Sequence, residues 1–199
     1  MDIWRLGIVE KPLRDVFDGG FGDAPVQWIG ANRPFAFLAD PFGMWHDERL
    51  FVFAEAYDYR TRLGHIEVLE FDRNLRLVNR RPCLREPWHL SYPFVFQADG
   101  ETWLLPEAYR SGRLKLYRCS DFPHSWKAEC IIDLPELAVD ATPLHHKGLW
   151  WLFYSPANRA GPVRLHAAFA EMLKGPWFLH PMNPLVEGPR AARPSWTPY

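Results

Sequence analysis

Short runs of alternating apolar and polar residues fill most of the chain, and they return in a fixed order. Phe37-Leu38-Ala39-Asp40-Pro41-Phe42 places a carboxylate just before a proline at the mouth of an aromatic run. Tyr92-Pro93-Phe94 and Asp140-Ala141-Thr142-Pro143 repeat that layout. Each opening leads to a polar reversal, at Asp47-Glu48, Asp99-Gly100 and Lys147-Gly148, and then to a second apolar run. Asp-Gly is a strong two-residue hairpin signal because both turn positions need positive φ. Opposed residues of an antiparallel pair share a face. Hairpins centred on these pairs therefore predict that Asp40 faces Glu55, Tyr92 faces Glu107 and Asp140 faces Ser155.

A third strand follows each hairpin: Gly64 to Leu69, Gly112 to Tyr117 and Gly161 to His166. A weaker fourth is read at Leu75 to Val78, Trp126 to Glu129 and Trp177 to His180. A four-stranded unit recurring every ~40–50 residues is the signature of a propeller blade. The predicted blades cover about 37–85, 86–135 and 136–187, and a fourth begins within 188–199. Propellers typically close with about four to eight blades. The expected fold is thus all-β, a truncated five-bladed propeller with three complete four-stranded blades. Residues 1–36 hold two short strand candidates, Ile3 to Val9 and Val26 to Ile29, around a Gly- and Asp-rich loop at 18–23. They are assigned to the closing blade. The stretch from Leu165 to Leu173 has some helical character, but the repeat assigns its first half to a strand.

Composition narrows the function. At 48% hydrophobic and 16% aromatic, the chain can build a sizeable core. A net charge of −1 gives no electrostatic case for nucleic acid. No apolar run reaches the ~20 residues that span a bilayer, and the first residues lack the apolar core of a signal peptide. Cys83, Cys119 and Cys130 have no metal spacing and read as thiols of a reducing cytoplasm, the expected location. His145-His146 lies at a hairpin tip, where neighbouring side chains diverge, so no metal is expected there. There is no phosphate loop and no CxxC, and no cofactor is expected.

The Ala39-Asp40-Pro41-Phe42 opening, the blade period and Asp140 resemble the five-bladed propeller clan of arabinanases, xylosidases, invertases and levansucrases. A closer resemblance rests on Trp28-Ile29-Gly30, Leu38 to Phe42, Ala54-Glu55-Ala56, His89 to Phe94, Leu105-Pro106-Glu107, Asp140 to Pro143 and Trp150 to Tyr154. It is to the N-terminal domain of plant glucosamine inositolphosphorylceramide transferase and its bacterial relatives. In the glycosidase clan, an Asp of the first blade is base or nucleophile, and an Asp opening a later blade orients it. A Glu opening the next blade is the acid. The resemblance puts Asp40 in the first role and Asp140 in the second; the third position holds Arg193. Arginine donates no proton at neutral pH, and glycoside hydrolysis normally uses two carboxylates.

The candidate site therefore has Asp40 and Asp140 as catalytic-type carboxylates. Glu55, His89, Tyr92, Glu107 and Arg193 are its substrate-binding residues, and Arg60 or Arg62 could supply a cation between Asp40 and Glu55. His89 and Tyr92 are placed on the rim. His89 alternatively serves as a loop histidine with a backbone partner. The expected ligand is a saccharide or glycolipid head group. The expected partner is the remainder of the propeller or a fused catalytic domain, where the resemblance implies the transfer chemistry resides. The alternatives are an active glycoside hydrolase, with its acid at Glu55, at Glu107 or in further blades, and a protein-interaction propeller.

Overall fold

The computed structural model describes residues 3–30, 33–157 and 163–188, and strands dominate them. At the N-terminus β1 (Gly7–Val9) and β2 (Val26–Trp28) form an antiparallel pair around α1 (Leu13–Gly19). Strands β3 (Ala36–His46), β4 (Arg49–Asp58), β5 (Leu63–Phe71) and β6 (Leu77–Leu84) form sheet one in chain order. Sheet two repeats the meander with β7 (Ser91–Ala98), β8 (Glu101–Glu107), β9 (Leu114–Asp121) and β10 (Ser125–Ile132). Sheet three has β11 (Ala138–His146), β12 (Leu149–Pro156) and β13 (Arg164–Ala170). Its outer edge carries two fragments, β14 (Phe178–Leu179) and β15 (Val186–Glu187), both paired with β13. Among the described residues the architecture is thus all-β, in three consecutive antiparallel meanders.

Two local readings need correction. The segment assigned to loop around residues 18–23 begins inside α1, which Pro12 opens and Gly20, at φ 69°, ends. The fourth strand of sheet three is split. Prolines at 176, 181 and 184 cannot donate to a ladder, and Asn183 fills the gap with its side chain. Its Oδ1 accepts from the Ala167 N–H at 2.9 Å, and its Nδ2 donates to the Ala167 carbonyl at 2.8 Å. The helical character after Leu165 does not prevail, since β13 runs to Ala170.

The hairpins turn where predicted. Asp47, Glu48, Asp99, Gly100, Lys147 and Gly148 all have positive φ. Distal to the strand openings the predicted register holds, with Phe42 opposite Phe53, Phe94 opposite Leu105 and Thr142 opposite Phe153. At the openings it slips by one. Ala39, not Asp40, faces Glu55; Ser91, not Tyr92, faces Glu107; Val139, not Asp140, faces Ser155. The cause is a β-bulge that sets two residues against one, at Asp40-Pro41, Tyr92-Pro93 and Asp140-Ala141. The first residue of each bulge is left-handed, with φ of 48°, 43° and 54° for Asp40, Tyr92 and Asp140. That conformation is uncommon outside glycine, with Asp better tolerated than bulky residues.

Both faces of sheet one are buried. Phe51, Phe53, Ile66 and Val68 face sheet two and join a core that continues through Phe94, Leu104 and Leu116 to Leu152 and Tyr154. Val52, Ala54, Ala56, Leu69 and Phe71 face the other way and pack with Leu6 and Ile29 of the N-terminal segment. The β1–β2 pair thus caps the flank of sheet one that sheet two leaves open. The links between sheets are pinned by carboxylates at matching places. Glu86, before β7, accepts from the Tyr117 hydroxyl at 2.6 Å; Glu136, before β11, accepts from the Tyr154 hydroxyl at 2.8 Å and meets His166 Nδ1 at 2.7 Å. These anchors bring the starts of β3, β7 and β11 to one end of the molecule.

Candidate functional site

The three bulges meet at that end. A cleft of about 730 Å3 is lined by β3 from Phe37 to Phe42, by Glu55 of β4, by Tyr92 and Asp140, and by Trp4 to Gly7 of the N-terminal segment. A bulge re-aims a side chain relative to a regular strand, and here all three bulge residues reach the same cleft. Asp40 is exposed, whereas Glu55, Tyr92 and Asp140 are buried in its walls.

The sheets are stitched together beneath the cleft. The Tyr92 N–H donates to Asp40 Oδ2 at 3.3 Å, and the Asp140 N–H donates to Glu107 Oε2 at 3.3 Å. Each bond joins a bulge to a carboxylate of the preceding sheet. The Tyr92 ring is not on the rim as predicted. It is 5% exposed, packs edge-on against Phe42, and its hydroxyl lies 3.0 Å from Thr142 Oγ1. Thr142 in turn donates to the Asp140 carbonyl at 3.3 Å, so the tyrosine hydroxyl is the donor in the first bond.

Glu107 and His89 stand behind the lining rather than in it. His89 has the backbone partner: its Nδ1 accepts from the Gly64 N–H at 2.9 Å, and its Nε2 approaches Glu55 Oε1 at 3.5 Å. Burial and the nearby Arg110 push the His89 pKa down, so the ring stays neutral. Glu55 is a strongly perturbed acid of the cleft. Burial first, then the charges of Asp40 and Glu107, raise its pKa to about 8. Arg60 does not relieve it, because its guanidinium is engaged with Asp58. The contrast within sheet one is Glu67. Burial works against its charge too, but His65 and Arg80 outweigh burial and hold its pKa near about 2. Arg193 and the predicted opening of a fourth blade lie outside the described residues, apart from Gly188.

Sequence reading missed Trp4 and Arg5. Trp4 is 61% exposed on the cleft wall, and the Arg5 guanidinium sits 5.3 Å from the Trp28 ring centroid. The only signal was an aromatic-cationic pair within the strand candidate Ile3 to Val9. No cluster of three or more His, Cys, Asp or Glu side chains with metal-holding geometry occurs among the described residues. A second hollow, about 460 Å3 between the β8–β9 loop and the segment before β11, includes Tyr109, Arg113, Asp133 and Glu136 but none of the bulge residues. Among the described residues no helix is long and apolar enough to cross a membrane.

This fold has solved counterparts. A family 117 glycoside hydrolase from Zobellia galactanivorans superposes with a TM-score of 0.68 at 15% identity, over 81% of this chain and 61% of that one. An α-L-arabinofuranosidase from Lactobacillus brevis gives 0.62 at 14% identity over the same shares. An exo-β-1,3-galactanase from Clostridium thermocellum gives 0.62 at 12% identity, over 78% of this chain and 39% of that one. At such identities the likeness is one of fold, that of a β-propeller. In sequence, glucosamine inositolphosphorylceramide transferase 1 of Arabidopsis thaliana is 36% identical over 94% of this chain and 27% of its own length. The protein of the same name from Oryza sativa subsp. indica is 35% identical over 79% of this chain and 22% of its own. The chain therefore spans about a quarter of these relatives. Residues 26–195 match the family described as glucosamine inositolphosphorylceramide transferase 1, N-terminal, and the chain belongs to that family.

Proposed function

We propose that the cleft is a saccharide-recognition site of a glycosidase-like propeller domain that serves glycan or glycolipid synthesis and does not hydrolyse glycosides by itself. The observation that carries this reading is the meeting of three bulge residues, Asp40, Tyr92 and Asp140, with Glu55 and the exposed face of Trp4 in one cleft. Carboxyl oxygens accept from sugar hydroxyls, and an indole face stacks on a sugar ring. Each neutral hydrogen bond nets only ~1 kcal/mol, so recognition needs several at once. The relatives carry the name of a glycolipid transferase, which supports a saccharide or glycolipid head group as ligand. On this reading the three meanders belong to a five-bladed ring. The β1–β2 pair occupies the flank of the closing blade, and the partner is the remainder of that ring or a fused catalytic domain. Asp40 and Asp140 are the residues on which binding turns, and Arg193 engages a carboxylate or an anionic glycan. Calorimetry of wild type and Asp40→Ala against simple glycosides tests the reading; equal affinity removes Asp40 from the site.

One observation favours a second reading, an active hydrolase. A carboxyl group that keeps its proton at neutral pH, Glu55, adjoins the carboxylate Asp40. A pair of acids with separated pKa values is the usual equipment for glycoside cleavage. Release of nitrophenol from aryl furanosides and pyranosides decides between the two. Turnover that vanishes in Asp40→Asn establishes the hydrolase; no turnover above background upholds recognition without hydrolysis.

A further inference from the structure

We propose that Glu55 is the hydrogen-bond-donating carboxylic acid of the cleft, positioned there by His89 and Gly64, and that it selects a saccharide ring or glycosidic oxygen. The inference rests on the saccharide reading and adds to it a donor among acceptors. Its basis is a three-residue interlock drawn from β4, β5 and the segment before β7. The Gly64 N–H donates to His89 Nδ1 at 2.9 Å, so that nitrogen bears the lone pair and the ring proton is on Nε2. That protonated Nε2 lies 3.5 Å from Glu55 Oε1. A donor in front of Oε1 leaves the acid proton to Oε2. His89 cannot accept that proton, because its one acceptor nitrogen is already taken.

Gly64 is what lets the three residues close up. A Cβ there would lie 2.5 Å from the Leu90 carbonyl oxygen, 2.8 Å from His89 Cε1 and 2.9 Å from Glu55 Oε1. The Leu90 N–H also donates to the Gly64 carbonyl at 3.0 Å, which fixes the segment carrying His89 against β5. Glu55 is only 6% exposed, yet it lines the cleft. Its repeat counterpart Glu107 receives the Asp140 N–H, but the corresponding Tyr92 N–H goes to Asp40 instead of Glu55.

Among the described residues, the ionisable groups around it favour the neutral acid. Asp40 of β3, Glu107 of β8 and Asp140 of β11 are acids. Tyr92 of β7 is a phenol that donates to Thr142. His89 is neutral, with its pKa lowered by burial and by the nearby Arg110. Arg5, from the N-terminal segment, lies over the Trp28 ring. Burial and the charges of Asp40 and Glu107 keep the proton on Glu55 up to about pH 8. Asp40 and Asp140 offer acceptors that suit sugar hydroxyls. A ring or glycosidic oxygen has only lone pairs and needs a donor, which Glu55 supplies.

The test is calorimetry with methyl α-L-arabinofuranoside, methyl β-D-xylopyranoside and methyl β-D-galactopyranoside as probes, at pH 6 and pH 9. Wild type binds at least one of them at pH 6 and about tenfold more weakly at pH 9, where only about a tenth of a group titrating near 8 keeps its proton. Glu55→Gln carries a permanent N–H donor in place of the acid, and binds equally at both pH values. His89→Phe moves the midpoint of the pH profile up, because the N–H facing the carboxylate is lost. Binding by wild type that does not change between pH 6 and 9, or a pH dependence that persists in Glu55→Gln, overturns the inference and leaves saccharide recognition standing. Failure of wild type to bind any of the three probes at either pH overturns both.

Discussion

Glu55 and Glu107 occupy the same place in consecutive blades, near the end of the second strand and across from the bulge, and they have opposite fates. Glu107 receives a backbone N–H from the next blade and so acts as a stitch between sheets two and three. Glu55 has lost its equivalent donor to Asp40, and His89 Nε2 stands 3.5 Å from its Oε1. Burial is nearly the same, 6% against 8% exposed, so burial does not separate them. Among the described residues they differ in where one N–H is spent. Glu67 adds the third case: it is as buried as either, yet two cationic or proton-donating neighbours keep it ionised. A repeat position therefore fixes where a carboxyl group sits, and its neighbours decide its charge.

The largest expected effect comes from removing the titration of Glu55. Its pKa in the folded chain, about 8, lies above the ordinary value of 4.5. A group raised on folding contributes its full stability below the unfolded value and loses it as pH climbs to the folded one. Wild type should therefore lose on the order of 4 kcal/mol between pH 4.5 and 9 through this residue alone. Denaturant titrations of Glu55→Gln should show that slope gone. An unchanged slope would break the contrast with Glu107.

Next in size is Gly64→Ala. The added methyl meets a backbone carbonyl at 2.5 Å and must displace the segment before β7. A cost of about 3 kcal/mol is expected, in the upper range for overpacking, read as a drop in the denaturation midpoint. A loss below about 1 kcal/mol would mean that the interlock has slack. Glu107→Ala should cost about 2 kcal/mol, because it strands the buried Asp140 N–H. It should also lower the Glu55 midpoint, since it removes one of the two charges that raise it. Carboxyl carbon NMR reads that shift directly, and an upward shift would contradict the electrostatic account. The smallest effect is Arg60→Ala. Arg60 is committed to Asp58 at the strand end, so the Glu55 titration should not move. A raised midpoint would restore Arg60 as the counter-charge expected from sequence.

Much of the fold was legible because it repeats. Three reversals at polar pairs, three glycine-marked third strands and the aromatic openings each supported the others, and no single one would have sufficed. The bulges were not legible. A bulge adds a residue without changing composition, and symmetric pairing about the turn pointed to Asp40 opposite Glu55, one residue from the truth. The site was readable to the same depth. Asp40, Glu55, Tyr92 and Asp140 reach one cleft, because strand ends are fixed by register. The second layer was not readable, since placing His89 behind Glu55 depends on how two blades dock. Trp4 was missed for a related reason: the N-terminal segment reaches the cleft by packing Leu6 and Ile29 against a flank of sheet one, a contact that local pattern does not encode.

The left-handed bulge also works as a phase slip. Leu38 and Phe42 are four residues apart on one strand and would share a face under strict alternation. Instead Leu38 packs with the N-terminal segment and Phe42 with sheet two. The cleft-facing end of β3 is thereby uncoupled from the core-facing remainder. The bulge residue can change from Asp to Tyr between blades while everything beyond it keeps its parity. Deleting one residue at the bulge would do the reverse: it would leave the chemistry nearly intact and send Phe42 and Met44 to the wrong side of the sheet. For anyone retooling this cleft, the bulge position is a socket that tolerates exchange, and its length is the frame that cannot be edited.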